Sequence, residues 1–359
     1  MRTALLAPCL FAAFFVGCLE ELPDPAKVEG LRVLAIRADP PEAAEGQPVT
    51  VEALVAHPDP TVPLTLRWLA CLKPERSSGF FSGGGNVGFS GGRGFGLDDP
   101  GSCFSIEQAG YDVTYLGDTM AVRLEVPTGV LSGESIANAY GLPASLPEPA
   151  IAILRSVSGV NLSVSLEVRS GGAKPDLVEA FKRVNVSTAT PKNTNPADVL
   201  FHLARPGCPA DDDETAPTEG TASPRGTCFG EAPDAPVALV PGTTYRVRPM
   251  NIPEDMQVYP VLLGSTNPSS PFGIQEKEEV YFYSMFSSHG SFGDRVFKSR
   301  ATPSTTWELP SDMPERVPLW IVVRDGRGGT AWCHSTIARA LPPGPDPCVG
   351  APGETPATE

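Results

Sequence analysis

Short stretches in which apolar and polar residues alternate recur through this chain of 359 residues, and they limit the fold it can adopt. Val49, Val51, Ala53 and Val55 alternate with Thr50, Glu52 and Leu54. Leu64, Leu66 and Trp68 alternate with Thr65 and Arg67. Met120, Val122, Leu124 and Val126 alternate with Ala121, Arg123 and Glu125, and Leu162, Val164, Leu166 and Val168 with Ser163, Ser165, Glu167 and Arg169. Successive strand side chains point to opposite faces, so each stretch reads as a strand with one wet and one buried face. Helical spacing is confined to short pieces around residues 134–140 and 175–181. Many short strands, Gly and Pro turns and few helices predict an all-β fold of packed sheets.

The pattern restarts. Glu45-Gly46-Gln47-Pro48 opens a strand at Val49, and Val240-Pro241-Gly242-Thr243 opens one at Thr244. The first half closes with a strand reaching Val168, a turn at Gly171-Gly172 and a strand over 181–187. The second closes with Leu319-Trp320-Ile321-Val322-Val323, a turn at Gly326 and a strand over 330–340. Strand, Gly turn, strand is the last hairpin of a sandwich. Two copies of one design are expected, divided at 190–196. Residues 189–196 hold Ala189, two prolines and no other apolar residue, so this stretch should neither pair in a sheet nor pack in a core. The competing reading is one large sandwich, in which the strands at 162–168 and 184–186 pair with strands of the second half.

Leu31 to Pro41 followed by Glu45-Gly46-Gln47-Pro48-Val49-Thr50-Val51 resembles the opening strands of bacterial immunoglobulin-like and PKD-like domains. Trp68 stands where such domains carry a core Trp on the third strand. The resemblance implies two immunoglobulin-like β-sandwiches in tandem, with Gly/Pro-rich loop insertions, and says almost nothing about function. Cys71 and Cys103 depart from the inter-sheet pair of antibody domains, and the second half offers Met285 instead of a Trp.

The N-terminus carries a second resemblance. Arg2 precedes an apolar stretch over 4–16, then Gly17-Cys18, then the acidic, Pro-broken Leu19-Glu20-Glu21-Leu22-Pro23-Asp24-Pro25. Charge, short apolar core and small residue make a secretion signal, and the core is shorter than the roughly 20 residues that span a bilayer. Gly17-Cys18 resembles the lipobox of bacterial lipoproteins, with Phe15 where the family prefers Leu. The resemblance implies that Cys18 is lipidated and begins the mature chain. Leu19, in place of Asp, implies an outer-membrane or cell-surface location. The expected organisation is a signal peptide over 1–17, a lipidated tether over 18–28, sandwiches over 29–189 and 197–341 joined by 190–196, and a Pro/Gly-rich tail over 342–359.

The net charge of −15 disfavours nucleic acid, whose binding needs Lys and Arg to displace counterions. It also disfavours broad contact with anionic lipid, leaving the acyl anchor as the membrane link. Gly and Pro, 36 and 40 residues, stay below the share that marks a low-complexity chain. Apart from Cys9 and Cys18, six cysteines remain: Cys71, Cys103, Cys208, Cys228, Cys333 and Cys348. An even number in an exported chain reads as disulfides. Nearest-neighbour pairing is the expectation among the possible connectivities: Cys71–Cys103, Cys208–Cys228 and Cys333–Cys348. Metal binding by these cysteines is disfavoured, because Cys-x-x-Cys is absent and only four His occur.

Insertions over 77–96 and 209–226 interrupt the sandwiches. The first contains Gly88-Phe89-Ser90-Gly91-Gly92, which matches the nucleophile-elbow pattern, but Gly-rich flanks supply neither the strand nor the helix an elbow needs. The second contains Asp211-Asp212-Asp213-Glu214, without the alternating spacing of a Ca²⁺ loop, and reads as a solvated acidic loop. His57, His202, His289 and His334 are scattered. Phe80, Phe81, Phe89 and Phe95 have no strand period, so they either cover a sandwich edge or form an exposed contact patch. The sequence thus predicts a cell-envelope lipoprotein with a structural or protein-contact role. It is expected to have no catalysis, cofactor or metal, with the membrane and an envelope protein as partners. The alternative is a surface adhesive or ligand-binding module, taking glycan or calcium on the Phe-rich or acidic loop.

Overall fold

The computed structural model describes residues 24–72, 102–140, 142–143, 145–172, 175–196, 200–204, 227–229, 236–250, 252–253, 256–264, 272–298 and 304–340. The first half contains β1 (Arg32–Asp39), β2 (Glu42–Ala43), β3 (Pro48–Ala56), β4 (Leu64–Leu72), α1 (Cys103–Gln108), β5 (Thr114–Gly117) and β6 (Ala121–Glu125). It continues with α2 (Gly133–Ala139), α3 (Glu148–Val157), β7 (Val160–Ser170) and β8 (Leu177–Val186). The second half contains β9 (Phe201–Ala204), β10 (Ala238–Leu239), β11 (Thr244–Pro249), β12 (Val258–Gly264), β13 (Phe272–Glu278) and β14 (Phe282–Ser287). It closes with β15 (Ser291–Phe292), β16 (Val296–Lys298), β17 (Thr305–Glu308), β18 (Arg316–Arg324) and β19 (Thr330–Arg339).

The fold is all-β, and both halves are immunoglobulin-like sandwiches. In the first, a sheet of order β1-β3-β6 faces one of order β2-β8-β7-β4-β5. In the second, β9-β11-β17-β15 faces β10-β19-β18-β14-β16. A two-residue strand pairs in parallel with the last strand in each half, β2 with β8 and β10 with β19. This shared order is the repeat that the restarting sequence pattern signals. The strands at 162–168 and 184–186 pair within the first half, with β4 and with each other, which argues against one large sandwich.

Alternation builds the two cores. Val49, Val51, Val122, Leu124, Leu162, Val164, Leu166 and Val168 meet around Trp68, which is fully buried and donates its indole N–H to the Thr119 carbonyl at 2.8 Å. The second core gathers Val247, Met285, Trp307, Leu319, Ile321 and Ile337. Helices α2 and α3 connect β6 to β7, α2 capped by the Ser132 hydroxyl on the Ser135 N–H, α3 burying Ile151 and Leu154. Residues 175–181, expected to be helical, instead lead into β8, where pairing with the edge of β7 outweighs a weak helical spacing.

Two expectations about connecting segments are corrected. The segment over 190–196 does pack: Asn193 is 2% exposed and sits between the halves. Likewise, residues 24–28 of the expected tether are docked on the second half. Ser287 of β14 donates to the Ala26 carbonyl at 3.0 Å and accepts from the Val28 N–H at 2.9 Å. Ala26 and Val28 are buried, and Asp24 pairs with Arg295. Because β16 covers only Phe282 to Ser284 of β14, the far end of that strand has free backbone groups, and residues 26–28 satisfy them. The expected signal peptide and the tail over 342–359 lie outside the described residues.

Candidate functional site at the junction of the sandwiches

The feature that sets this molecule apart from two beads on a string is the seam between its halves. Strand β18 is apolar on both faces. Leu319, Ile321 and Val323 enter the second core, whereas Trp320 and Val322 point the other way. There, with Phe286 and Trp332, they meet Leu34 and Ala35 of β1, Leu54 and Ala56 of β3, and Val28. The pairing of β1 with β3 skips Leu34, a bulge that turns an extra apolar side chain outward. The two halves therefore share a third apolar cluster. Arg324 crosses it, donating to the Leu34 carbonyl at 2.9 Å and the Ser284 hydroxyl at 3.2 Å, and burial pushes its pKa down to about 10. The Arg37 guanidinium lies 5.0 Å from the Trp332 ring centroid.

Beside the apolar seam lies a network of buried charges. Asp325, in the turn from β18 to β19, accepts the N–H of Arg327 at 2.7 Å and of Gly329 at 2.9 and 3.0 Å. Asn193 ties the halves, donating its side-chain amide to Asp325 at 2.8 Å and its backbone N–H to Glu42 at 2.7 Å. Glu42 also accepts from the Ser187 hydroxyl and from Asn185. The Arg327 guanidinium, 13% exposed, reaches Glu42 of the first half at 3.4 Å and Glu279 of the second at 2.9 Å. It lies over the Tyr259 ring, 4.4 Å from the centroid. Asn195 donates to the Ala38 carbonyl and accepts from the Thr330 N–H. Lys182 of β8 donates to the Gly328 carbonyl and to the Thr330 hydroxyl. Burial lowers its pKa to about 8 against the opposing pull of Asp325. Burial, with Asp325 adding to it, raises the Glu279 carboxyl above the usual range.

Chemically this is a lock. The three carboxylates are matched by cations or N–H groups, and Ser187, the hydroxyl against Glu42, is 1% exposed and out of reach of a substrate. Buried charges held this way fix a geometry, because any other arrangement strands one of them. Among the described residues no group of three or more His, Cys, Asp or Glu is arranged to hold a metal. The β12–β13 hairpin adds a clasp: Tyr259 covers Arg327 while Leu262 packs against the first core.

Of the residues singled out in the sequence, Cys71 and Cys103 are bonded as expected, against Leu69 and Phe104 at the root of the first insertion. The other two expected pairings are corrected: Cys228 is bonded to Cys333, 105 residues away. Chain proximity was the wrong guide. Cys333 faces inward from β19, and Cys228 is held there by its N–H on Ser335 and its carbonyl on Phe201. Cys18, Phe80, Phe81, Phe89, Phe95, the Ser90 motif, the acidic run at 211–214, Cys208 and Cys348 lie outside the described residues. The four histidines are not brought together; His57 caps its own loop at Asp59 and His334 stacks on Trp320. Glu42, Lys182, Asn193, Glu279, Asp325 and Arg327 were not singled out. The available signal was the unbroken apolar run of β18, which marks a strand buried on both faces.

No family model matches the chain, and no curated protein matches it. Among solved structures, it is similar to a Bacteroides ovatus protein, SGBP-B of a mixed-linkage glucan utilization locus, solved with a mixed-linkage heptasaccharide. Identity is 10%, coverage 88% of this chain and 48% of that one, and the TM-score 0.17. A Corynebacterium diphtheriae protein described as membrane-anchored gives 8% identity, coverage of 88% and 60%, and a TM-score of 0.19. This chain spans about half to three fifths of their lengths. Likeness at this level carries no argument about function.

Proposed function

We propose that this protein is a cell-envelope lipoprotein, anchored through Cys18, whose two sandwiches act as one non-catalytic body in a structural or protein-contact role. The observation that carries the reading is the seam: a shared apolar cluster and a buried charge network spend much of the chain's specificity on fixing one half against the other. A ligand-binding enzyme cleft between domains would need that interface to open, whereas a spacer or scaffold needs it closed. The resemblance of residues 2–18 to a lipoprotein signal supports this location, and no helix among the described residues is long and apolar enough to cross a membrane.

Detergent phase partitioning of the native protein and of Cys18→Ser tests the anchor, with mass analysis of the peptide beginning at residue 18. Wild type in the detergent phase with an acyl mass increment supports it; wild type in the aqueous phase without one overturns it. Cross-linking in intact envelopes, followed by identification of captured proteins, then tests the contact role. Recovery of the chain free of any envelope protein contradicts that role.

A further inference from the structure

Chain order suggests that the half nearest the N-terminus stands nearest the anchor, away from the second half. The docked segment 24–28 says otherwise. Asp24 is held at the second half by Arg295 at 3.3 Å, and Ala26 and Val28 are bound to Ser287 and buried. The chain therefore leaves the body at the β14–β16 edge of the second half. Six peptide steps separate Cys18 from Asp24, an extended reach of at most about 20 Å. An anchor so short holds that edge against whatever carries it.

The edge suits a lipid surface. Val296 of β16 is 44% exposed, a large apolar side chain on an outermost strand. It stands between Arg295 and the exposed Lys298, whose ammonium lies 5.4 Å from the Phe282 ring centroid. Lys27 is paired with Glu29 and Arg295 with Asp24, so the local charges nearly cancel, in contrast to the chain's acidity. We propose that a phospholipid bilayer is met by this edge, with Val296 at the headgroup boundary and Arg295 and Lys298 beside it. The β5–β6 edge of the first half lies on the far side of that sandwich from β8, the strand whose Lys182 reaches the second half. This orientation rests on the acyl anchor proposed above.

The test uses the full lipidated protein in phosphatidylcholine vesicles, with and without lipids brominated near the headgroup. Val296→Trp places a fluorophore at the proposed contact, and Tyr115→Trp, at a site 59% exposed on β5, places one at the far edge. After subtraction of the wild-type signal, bromolipid is expected to reduce the emission of Val296→Trp roughly twofold and to leave Tyr115→Trp unchanged. Equal quenching at both sites, or quenching at Tyr115→Trp alone, overturns the orientation. A measurement without either variant accompanies it: acetylation of Lys298 in the wild type should fall when the protein is vesicle-bound, relative to soluble Cys18→Ser. Unchanged acetylation counts against the orientation. Flotation separates the two levels, since protein that does not float with vesicles refutes the anchor itself.

Discussion

Replacing Arg327 with Met removes the cation between Glu42 and Glu279 while keeping most of the side-chain volume. Both carboxylates are 6% exposed, and among the described residues Arg327 is the one cation bonded to either, with Lys192 acting on Glu42 only at longer range. Breaking a buried pair by deleting one partner costs about 3–5 kcal/mol, because the remaining charge stays desolvated. Arg327→Met should lose that much at pH 7 in guanidinium chloride unfolding with the disulfides intact. Adding Glu279→Gln should restore part of it, with a coupling on the order of 1–3 kcal/mol. The pH dependence has a definite sign. Glu279 has a folded-state pKa raised chiefly by burial. Its contribution to stability is therefore fully present below the unfolded value and is lost as pH rises through the folded one. Without Arg327 that pKa rises further, so the gap between mutant and wild type should narrow from pH 7 to pH 5. A loss below about 1 kcal/mol at pH 7, the worth of a surface pair, would refute the account of the seam as a lock.

Three further outcomes are expected. Burial lowers the folded-state pKa of Lys182 to about 8, below the 10.5 of an exposed lysine, so the folded state binds fewer protons between those values and stability should rise across that pH window, by at most about 3 kcal/mol. In Lys182→Met that rise should vanish, and a matching pH profile would show that the lysine is not buried. Non-reducing peptide mapping should recover Cys228 joined to Cys333, and replacing both with Ser should cost about 4–5 kcal/mol for a loop of this length; a Cys208–Cys228 peptide would contradict the bridge. Gly159 adopts φ +63°, and a Cβ there would fall 2.2 Å from the Val186 carbonyl oxygen, so Gly159→Ala should lower stability by more than about 1 kcal/mol; an unchanged midpoint of unfolding would be the contrary result.

Sheets with one wet face are legible in sequence, and the seam is not. β3, β6 and β7 announce themselves because a residue's polarity reports which face it occupies. The turns at Gly46 and Gly242, both at positive φ, mark where β3 and β11 begin. The seam breaks that code. In β18 both faces are apolar, so the run shows burial but not what lies on either side. The polar half of the seam is harder still, since Glu42, Asn193 and Arg327 look like ordinary surface residues until the fold brings 42, 193 and 327 together. Segment 190–196 looked like a linker because it has almost no apolar residue, yet it packs through amides. The N-terminal segment misled for a related reason: its burial depends on a strand end left unpaired by β16. Pairing of the cysteines depended on which side of β19 Cys333 faces.

Calorimetry of the intact chain tests most directly whether the two sandwiches form one body. The shared cluster and charge lock predict a single transition, with calorimetric and van't Hoff enthalpies in agreement and the same midpoint by tryptophan emission and far-ultraviolet circular dichroism. Two separable transitions, one for each sandwich, would contradict it.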